Sequence, residues 1–162
     1  MAWTLQLVND STTLDLNDNA AYSARSLMTP IPARRMARGG ANLFRHGSDL
    51  VERVYTNRVV TVILRILGAD QDTLIANVNA VNAILERGAE FHTTGIGSQL
   101  KLRRKWENAT NQIDFYVLEG VLQIGDEFGP VHATNTSFTT ARLTLLCEPF
   151  AYGADETIQN LS

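Results

Sequence analysis

Cysteine is almost missing. The 162-residue chain holds one, Cys147, so no intrachain disulfide can form and nothing marks an oxidising compartment. A basic excess is missing too. Fourteen Lys and Arg stand against seventeen Asp and Glu, for a formal net charge of -3; a generic nucleic-acid binder would be markedly basic. No long apolar run occurs. The longest, residues 59–67, is interrupted by Thr61 and Arg65 and is too short to cross a bilayer as a helix, so membrane insertion is not expected. The opening residues lack a basic n-region and an apolar h-region, so a signal peptide is not expected either.

What is present is ordinary. Hydrophobic residues make up 44% of the chain, which with the small net charge excludes intrinsic disorder. At roughly 150 residues a fold hides about 70% of the surface its unfolded chain exposes, so no metal or disulfide staple is needed. One domain over residues 1–153 is expected, with residues 154–162 as a tail.

Along the chain, Trp3, Leu5 and Leu7 alternate with Thr4, Gln6 and Val8, and turn residues at 9–11 and 17–19 suggest a hairpin or meander. A short strand is expected over residues 22–28. Residues 29–57 contain Pro30, Pro32, Gly39, Gly40 and Gly47 and read as a long extended loop or arm. Val60, Val62, Leu64 and Ile66 then form one face of a strand whose other face is also mainly apolar, which predicts a strand covered on both sides. Leu74, Val78, Val81 and Leu85 fall at helical spacing, with Asp70 as N-cap and Arg87-Gly88 as the stop, predicting a helix over about 70–87. Three strands follow, over residues 99–106, 113–124 and 137–148. The last is expected to slip phase near Thr139, to bury Phe138 and Cys147, and to end at Pro149. The residues thus predict an antiparallel, mainly β fold with a single helix.

Signatures of chemistry are weak. Cys147 could act as a nucleophile with His46, His92 or His132, but its place in a strand favours a buried thiol. The histidines are isolated, with no H-x-x-x-H or C-x-x-C spacing, so no metal site is expected. Gly95-Ile96-Gly97 lacks the third glycine of a dinucleotide fingerprint and follows a helix. Asp70 with Asp72, and Asp126 with Glu127, sit where caps and turn formers belong. No catalytic residue, cofactor or metal is expected, and the chain does not read as an enzyme.

The basic residues are more informative. Residues 19–48 contain five arginines and no acid, and twelve of the fourteen basic residues are Arg, the residue favoured for bidentate contacts and interfaces. Arg34, Arg35, Arg38, Arg45 and Arg53 are candidates for an arm that contacts a neighbouring subunit, and Lys101, Arg103 and Lys105, beside Arg104, for a basic strand face. Aromatic rings are not interleaved with them, which favours protein contact over nucleic acid. Trp3, Trp106 and Tyr116 leave a carbohydrate- or receptor-binding module as a second reading.

Arg58, Val60, Val62, Leu64, Ile66 and Gly68, followed by the helix, resemble the N-terminal domain of distal tail proteins of long-tailed bacteriophages. The strands around Gln99 to Leu102 and Phe115 to Gly120 follow in the family's order. So does the ending Pro149-Phe150-Ala151-Tyr152-Gly153. The resemblance covers about residues 43–153. It implies the tail-tube type of β-sandwich flanked by one helix, and a structural role in the virion. It implies a ring, commonly hexameric, joining tail tube to tip, with tube and tip proteins as partners and DNA passing through the lumen. Larger members carry a second, C-terminal binding domain, for which this chain is too short. A tail-tube subunit or another baseplate component is the neighbouring alternative.

Overall fold

The computed structural model describes residues 3–10, 12–32, 34–41, 48–107, 112–125 and 138–153. In chain order the elements are β1 (Trp3–Asn9), β2 (Thr12–Asp15), β3 (Tyr22–Met28), β4 (Arg34–Ala41), β5 (Ser48–Tyr55), β6 (Arg58–Leu67), α1 (Gln71–Thr94), β7 (Lys101–Trp106), β8 (Gln112–Ile124) and β9 (Phe138–Gly153). The mainly β, one-helix class expected from the residues is the one observed. Seven strands form a single antiparallel sheet in the order β2-β1-β7-β8-β9-β6-β3, and β4 pairs with β5 in a separate ribbon.

The sheet has to curl. Its outermost strands, β2 and β3, are joined by residues 16–21. The seven steps from Asp15 to Tyr22 reach at most about 25 Å, whereas six strand spacings in a flat sheet would need about 29 Å. The joining segment is also folded up. One carboxylate oxygen of Asp18 accepts the backbone N–H groups of Ala20, Ala21 and Tyr22, each at 2.9 Å. The Asn17 carboxamide bridges the seam, donating to the Trp3 carbonyl at 2.8 Å and accepting from the Ala24 N–H at 3.2 Å. The result is a half-barrel.

Its concave face is the core. Leu5, Leu7, Leu102, Phe115 and Val117 line one half, and Val60, Val62, Leu64, Ile66, Ala141, Leu143, Leu145 and Cys147 the other. Val81, Ile84 and Leu85 of α1 join the same cluster. Each large apolar side chain buried here contributes about 1.5–3 kcal/mol. The helix approaches closely because two glycines let it. A Cβ on Gly120 of β8 would lie 2.6 Å from Leu85 Cδ2, and one on Gly88 would lie 2.7 Å from Leu100 Cβ.

Several local expectations change. The helix runs 24 residues, through Gly88, and stops at Gly95, whose φ of 71° and N–H bond to the Phe91 carbonyl close it. Gly88 is a packing residue and not a stop signal. The arm at residues 29–57 is largely paired: Pro30 and Pro32 precede β4, and Gly39-Gly40 fall where the β4–β5 register shifts between Arg38 and Ala41. Proline and glycine therefore flank and kink a ribbon without forbidding one. Only one face of β6 is fully buried; on the other, Val59 is exposed.

The register of β9 against β6 is unbroken from Phe138 to Cys147, so no slip occurs at Thr139. Thr139 lies on the buried face, and Phe138 lies on the opposite face with the Arg65 guanidinium 3.8 Å from its ring centroid. The irregularities fall between β8 and β9, around Val117 and Pro149, and β9 continues past Pro149 to Gly153.

Candidate assembly surfaces

Lys101, Arg103 and Lys105 lie on the convex side of β7, as their alternation with Leu102 requires. The structure brings two of them to partners. Arg103 forks onto Asp114 of β8, with Nε and Nη2 each 2.9 Å from a carboxylate oxygen. That hydrogen bond holds the Arg103 pKa above its usual value. The Lys101 ammonium sits 5.1 Å from the Tyr116 ring centroid, and Tyr116 meets Tyr152 edge to face at 5.2 Å. Gln99 donates to the Glu148 carboxylate at 3.1 Å. Lys105 stays exposed. The basic strand face is thus a mixed-charge, internally paired surface.

Both tryptophans flank Arg104. They are direct cross-strand partners in the β1–β7 register, and the Arg104 guanidinium stacks 4.3 Å from the Trp106 centroid and 6.0 Å from that of Trp3. Arginine, not open solvent, covers a face of the more exposed ring.

Of the arm candidates, Arg34, Arg35 and Arg38 lie on β4 and Arg53 on β5; Arg45 lies outside the described residues. The root of the ribbon carries a feature that sequence reasoning missed. Met28, Ile31, Tyr55, Val59 and Phe150 are all exposed there, Ile31 to 91%. Tyr55 and Phe150 meet edge to face at 5.1 Å, and Arg58 donates to the Pro149 carbonyl beside them. These residues come from four strands and a connection, so only the fold gathers them. The family-like ending Pro149-Phe150 was the one local signal.

A second edge lies at the far end of β8. Strand β7 pairs with β8 only as far as Tyr116, and the Val117 N–H bonds to Leu100. Over residues 118–124 only the β9 side of β8 is paired among the described residues. Beside this edge runs a cleft of about 290 Å³ between α1 and β8, lined by Asn82, Leu85, Glu86, Ala89 and residues 119–122.

Cys147 is fully buried, and desolvation pushes its thiol up to about 12, so it is not a ready thiolate. His92 meets the Val117 carbonyl at 3.1 Å, while His46 and His132 lie outside the described residues. Asp70 is a helix cap: it accepts the Thr73 N–H at 2.7 Å, and hydrogen bonding from the Thr73 side chain and then its backbone holds the carboxyl below the usual range. Asp126 and Glu127 lie outside the described residues. Among the described residues no His, Cys, Asp and Glu group could hold a metal ion, and no helix is long and apolar enough to cross a membrane.

No family model and no curated protein sequence matches the chain. Solved structures do. The Dit protein (gp 19.1) of phage SPP1, described as a paradigm of the hub adsorption apparatus in phages that infect Gram-positive bacteria, aligns with a TM-score of 0.53 and 14% identity over 92% of this chain and 52% of its own. A chain of the activated phage p2 baseplate with strontium aligns at 0.58 and 8% identity, over 91% of this chain and 44% of its own. The calcium form gives 0.57 and 10% over the same shares. This chain has the fold of phage tail-hub and baseplate proteins. The resemblance to distal tail proteins carried by Arg58 to Gly68 and by the Pro149–Gly153 ending therefore extends to the fold. The chain spans about half the length of these tail-hub and baseplate chains.

Proposed function

We propose that the protein is a structural subunit of a bacteriophage tail, of the distal tail type. Copies form a ring at the tail tip, hexameric in the family's manner, that joins the tail tube to the tip proteins and leaves a lumen for DNA. The observation that carries this reading is the alignment of more than nine-tenths of the chain with the SPP1 Dit protein and with phage p2 baseplate chains.

The surface is consistent with assembly. Met28, Ile31, Tyr55, Val59 and Phe150 are exposed on or next to the β4–β5 ribbon, with Tyr55 against Phe150, and exposed apolar surface of this kind marks contact sites. Arg34, Arg35, Arg38 and Arg53 belong to that ribbon, where they can meet acidic surface on a neighbour. An enzymatic role has little support, since the thiol is buried and, among the described residues, no His pairs with it. For a carbohydrate module the stacking rings are poorly placed, because Arg104 already lies against Trp106.

Negative-stain electron microscopy of the purified protein tests the proposal. Closed rings are expected. Open-ended stacks would make it a tube protein, and monomers that bind a glycan array would make it a receptor-binding module.

A further inference from the structure

Arg104 holds its charge among apolar neighbours. It alternates in step with Leu102 on β7, which places it on the concave face, and its cross-strand partners are Leu5 of β1 and Ile113 of β8. Arg103, one residue earlier and on the convex face, forks onto Asp114. No such partner stands opposite Arg104. Among the described residues no hydrogen bond or ion pair involves its guanidinium, and its Nε is shut off from solvent without an acceptor. A buried donor left unpaired is uncommon enough in folded proteins to call for a reason.

The cation is held in place. Its guanidinium lies 4.3 Å from the Trp106 ring centroid and 6.0 Å from that of Trp3, and the two indoles are direct partners across β1 and β7. Asn17 fixes the Trp3 backbone through its 2.8 Å bond to the carbonyl. A guanidinium stacked on an indole keeps the edge of its plane free, and that edge presents paired N–H groups that match a carboxylate. With Nε shielded, the terminal Nη groups are the available donors. Beside them Trp106 and Ile113 are exposed to 44% and 41%. Partly desolvated arginine among exposed tryptophan and aliphatic surface is the composition of a binding hot spot.

We infer that Arg104, clamped by Trp3 and Trp106, receives a carboxylate from an acidic, apolar polypeptide segment of a partner protein. An Asp or Glu of that segment pairs with the Nη groups, and a neighbouring apolar side chain covers Trp106 and Ile113. Two observations favour a polypeptide over a nucleic acid. The guanidinium already occupies one face of Trp106, where a base would stack, and the chain's net charge of -3 opposes a phosphate backbone. The inference is independent of the ring reading, since a monomer can carry the site.

Both tryptophans of the chain belong to the site, so intrinsic fluorescence reports its occupancy. The probe is a short capped peptide alternating Glu and Leu, with its Gln–Leu counterpart as the neutral control and a single-stranded oligonucleotide as the third arm. The Glu–Leu peptide is expected to give a saturable change that weakens as salt rises. The Gln–Leu peptide is expected to bind about tenfold more weakly or worse. Arg104→Gln in the full chain should lose affinity to the same degree, and Arg104→Lys, which keeps the charge without the fork, should fall between. Because these variants also alter the surroundings of the tryptophans, anisotropy of a dye-labelled peptide supplies the affinities independently, and circular dichroism checks the fold. Should Arg104→Gln fail to fold, Trp106→Gln at its exposed position takes its place and is expected to weaken peptide binding. Absence of peptide binding, equal binding of the Gln–Leu peptide, or binding unchanged by the variants would overturn the inference. Arg104-dependent binding of the oligonucleotide in preference to the peptide would overturn it as well.

Discussion

The Tyr22 hydroxyl of β3 donates a 2.8 Å hydrogen bond to the main-chain carbonyl of Asn77 in α1. Asn77 in turn donates through its side chain to the Leu67 carbonyl at the end of β6, at 2.6 Å. Edge strand, helix and the neighbouring strand are thereby tied at one corner of the half-barrel. Burial, with the Asp18 carboxylate nearby, pushes the Tyr22 phenol up to about 12.

Tyr22→Phe keeps the ring's packing and removes the bond. The expected cost is about 1 kcal/mol, which lowers the melting temperature by roughly 2–4 °C in a protein of this size. The same change alters the alkaline limb of stability. A folded-state pKa above the usual 10 means that the neutral phenol stabilises the native state fully below pH 10. That contribution is lost as pH rises through 12. Urea midpoints measured from pH 8 upward should therefore fall more steeply for the wild type than for the variant. Parallel curves would remove Tyr22 as the cause.

Gly88 sets two effects against each other. Alanine in a helix interior is favoured over glycine by about 1 kcal/mol. Here the added methyl would lie 2.7 Å from Leu100 Cβ, an atom fixed close to the backbone, and overpacking of this kind costs about 1–3 kcal/mol. Gly88→Ala is therefore expected to destabilise the fold, read as a lower chemical-denaturation midpoint with an unchanged slope. A raised midpoint would show that α1 can move away from Leu100 at little cost.

The Arg103–Asp114 pair is bidentate, and Asp114 is 8% exposed. Lysine cannot reproduce two parallel N–H bonds to one carboxylate. Arg103→Lys is expected to cost about 1 kcal/mol and Asp114→Ala more, because it leaves a half-buried guanidinium without its partner. A double-mutant cycle on thermal or urea unfolding isolates the coupling. A coupling near zero would class the pair with ordinary surface ion pairs.

How far the sequence carried these conclusions depends on whether the deciding signal was local. The period-two alternation of Val60 to Ile66 and the helical spacing of Leu74 to Leu85 are local, and both mark faces that are buried in the fold. The extent of α1 was not local, because Gly88 reads as a stop until Leu100, twelve residues on, is packed against it. Thr139 and Phe138 exchange their expected faces for a similar reason, since threonine on a core face goes against its polarity. The curl of the sheet depends on Asn17, which as part of a polar Asn-Asp-Asn turn gives no hint that its side chain spans β1 and β3. The apolar cluster at the root of the ribbon is the least legible feature, since its members are scattered from Met28 to Phe150. The arginines were visible as a composition bias, but their grouping on a paired ribbon was not.

That ribbon gives the most direct test of assembly. Among the described residues, strands β4 and β5 pair only with each other, so their loss should leave the seven-stranded sheet and α1 intact. Replacing residues 33–54 by a short turn containing Asn-Gly joins the ends of the β3–β6 hairpin with chemistry suited to it. It also retains Tyr55 and its contact with Phe150. The shortened protein is expected to melt cooperatively within a few degrees of the parent, about 1 kcal/mol or less in stability, and to remain monomeric where the parent forms rings. The exposed Met28, Ile31, Val59 and Phe150 stay in place in this variant, so any residual association measures what the apolar cluster contributes without the arm. Intact rings from the shortened chain, seen by size exclusion or electron microscopy, would show that the arm is dispensable and that the apolar surface alone builds the assembly.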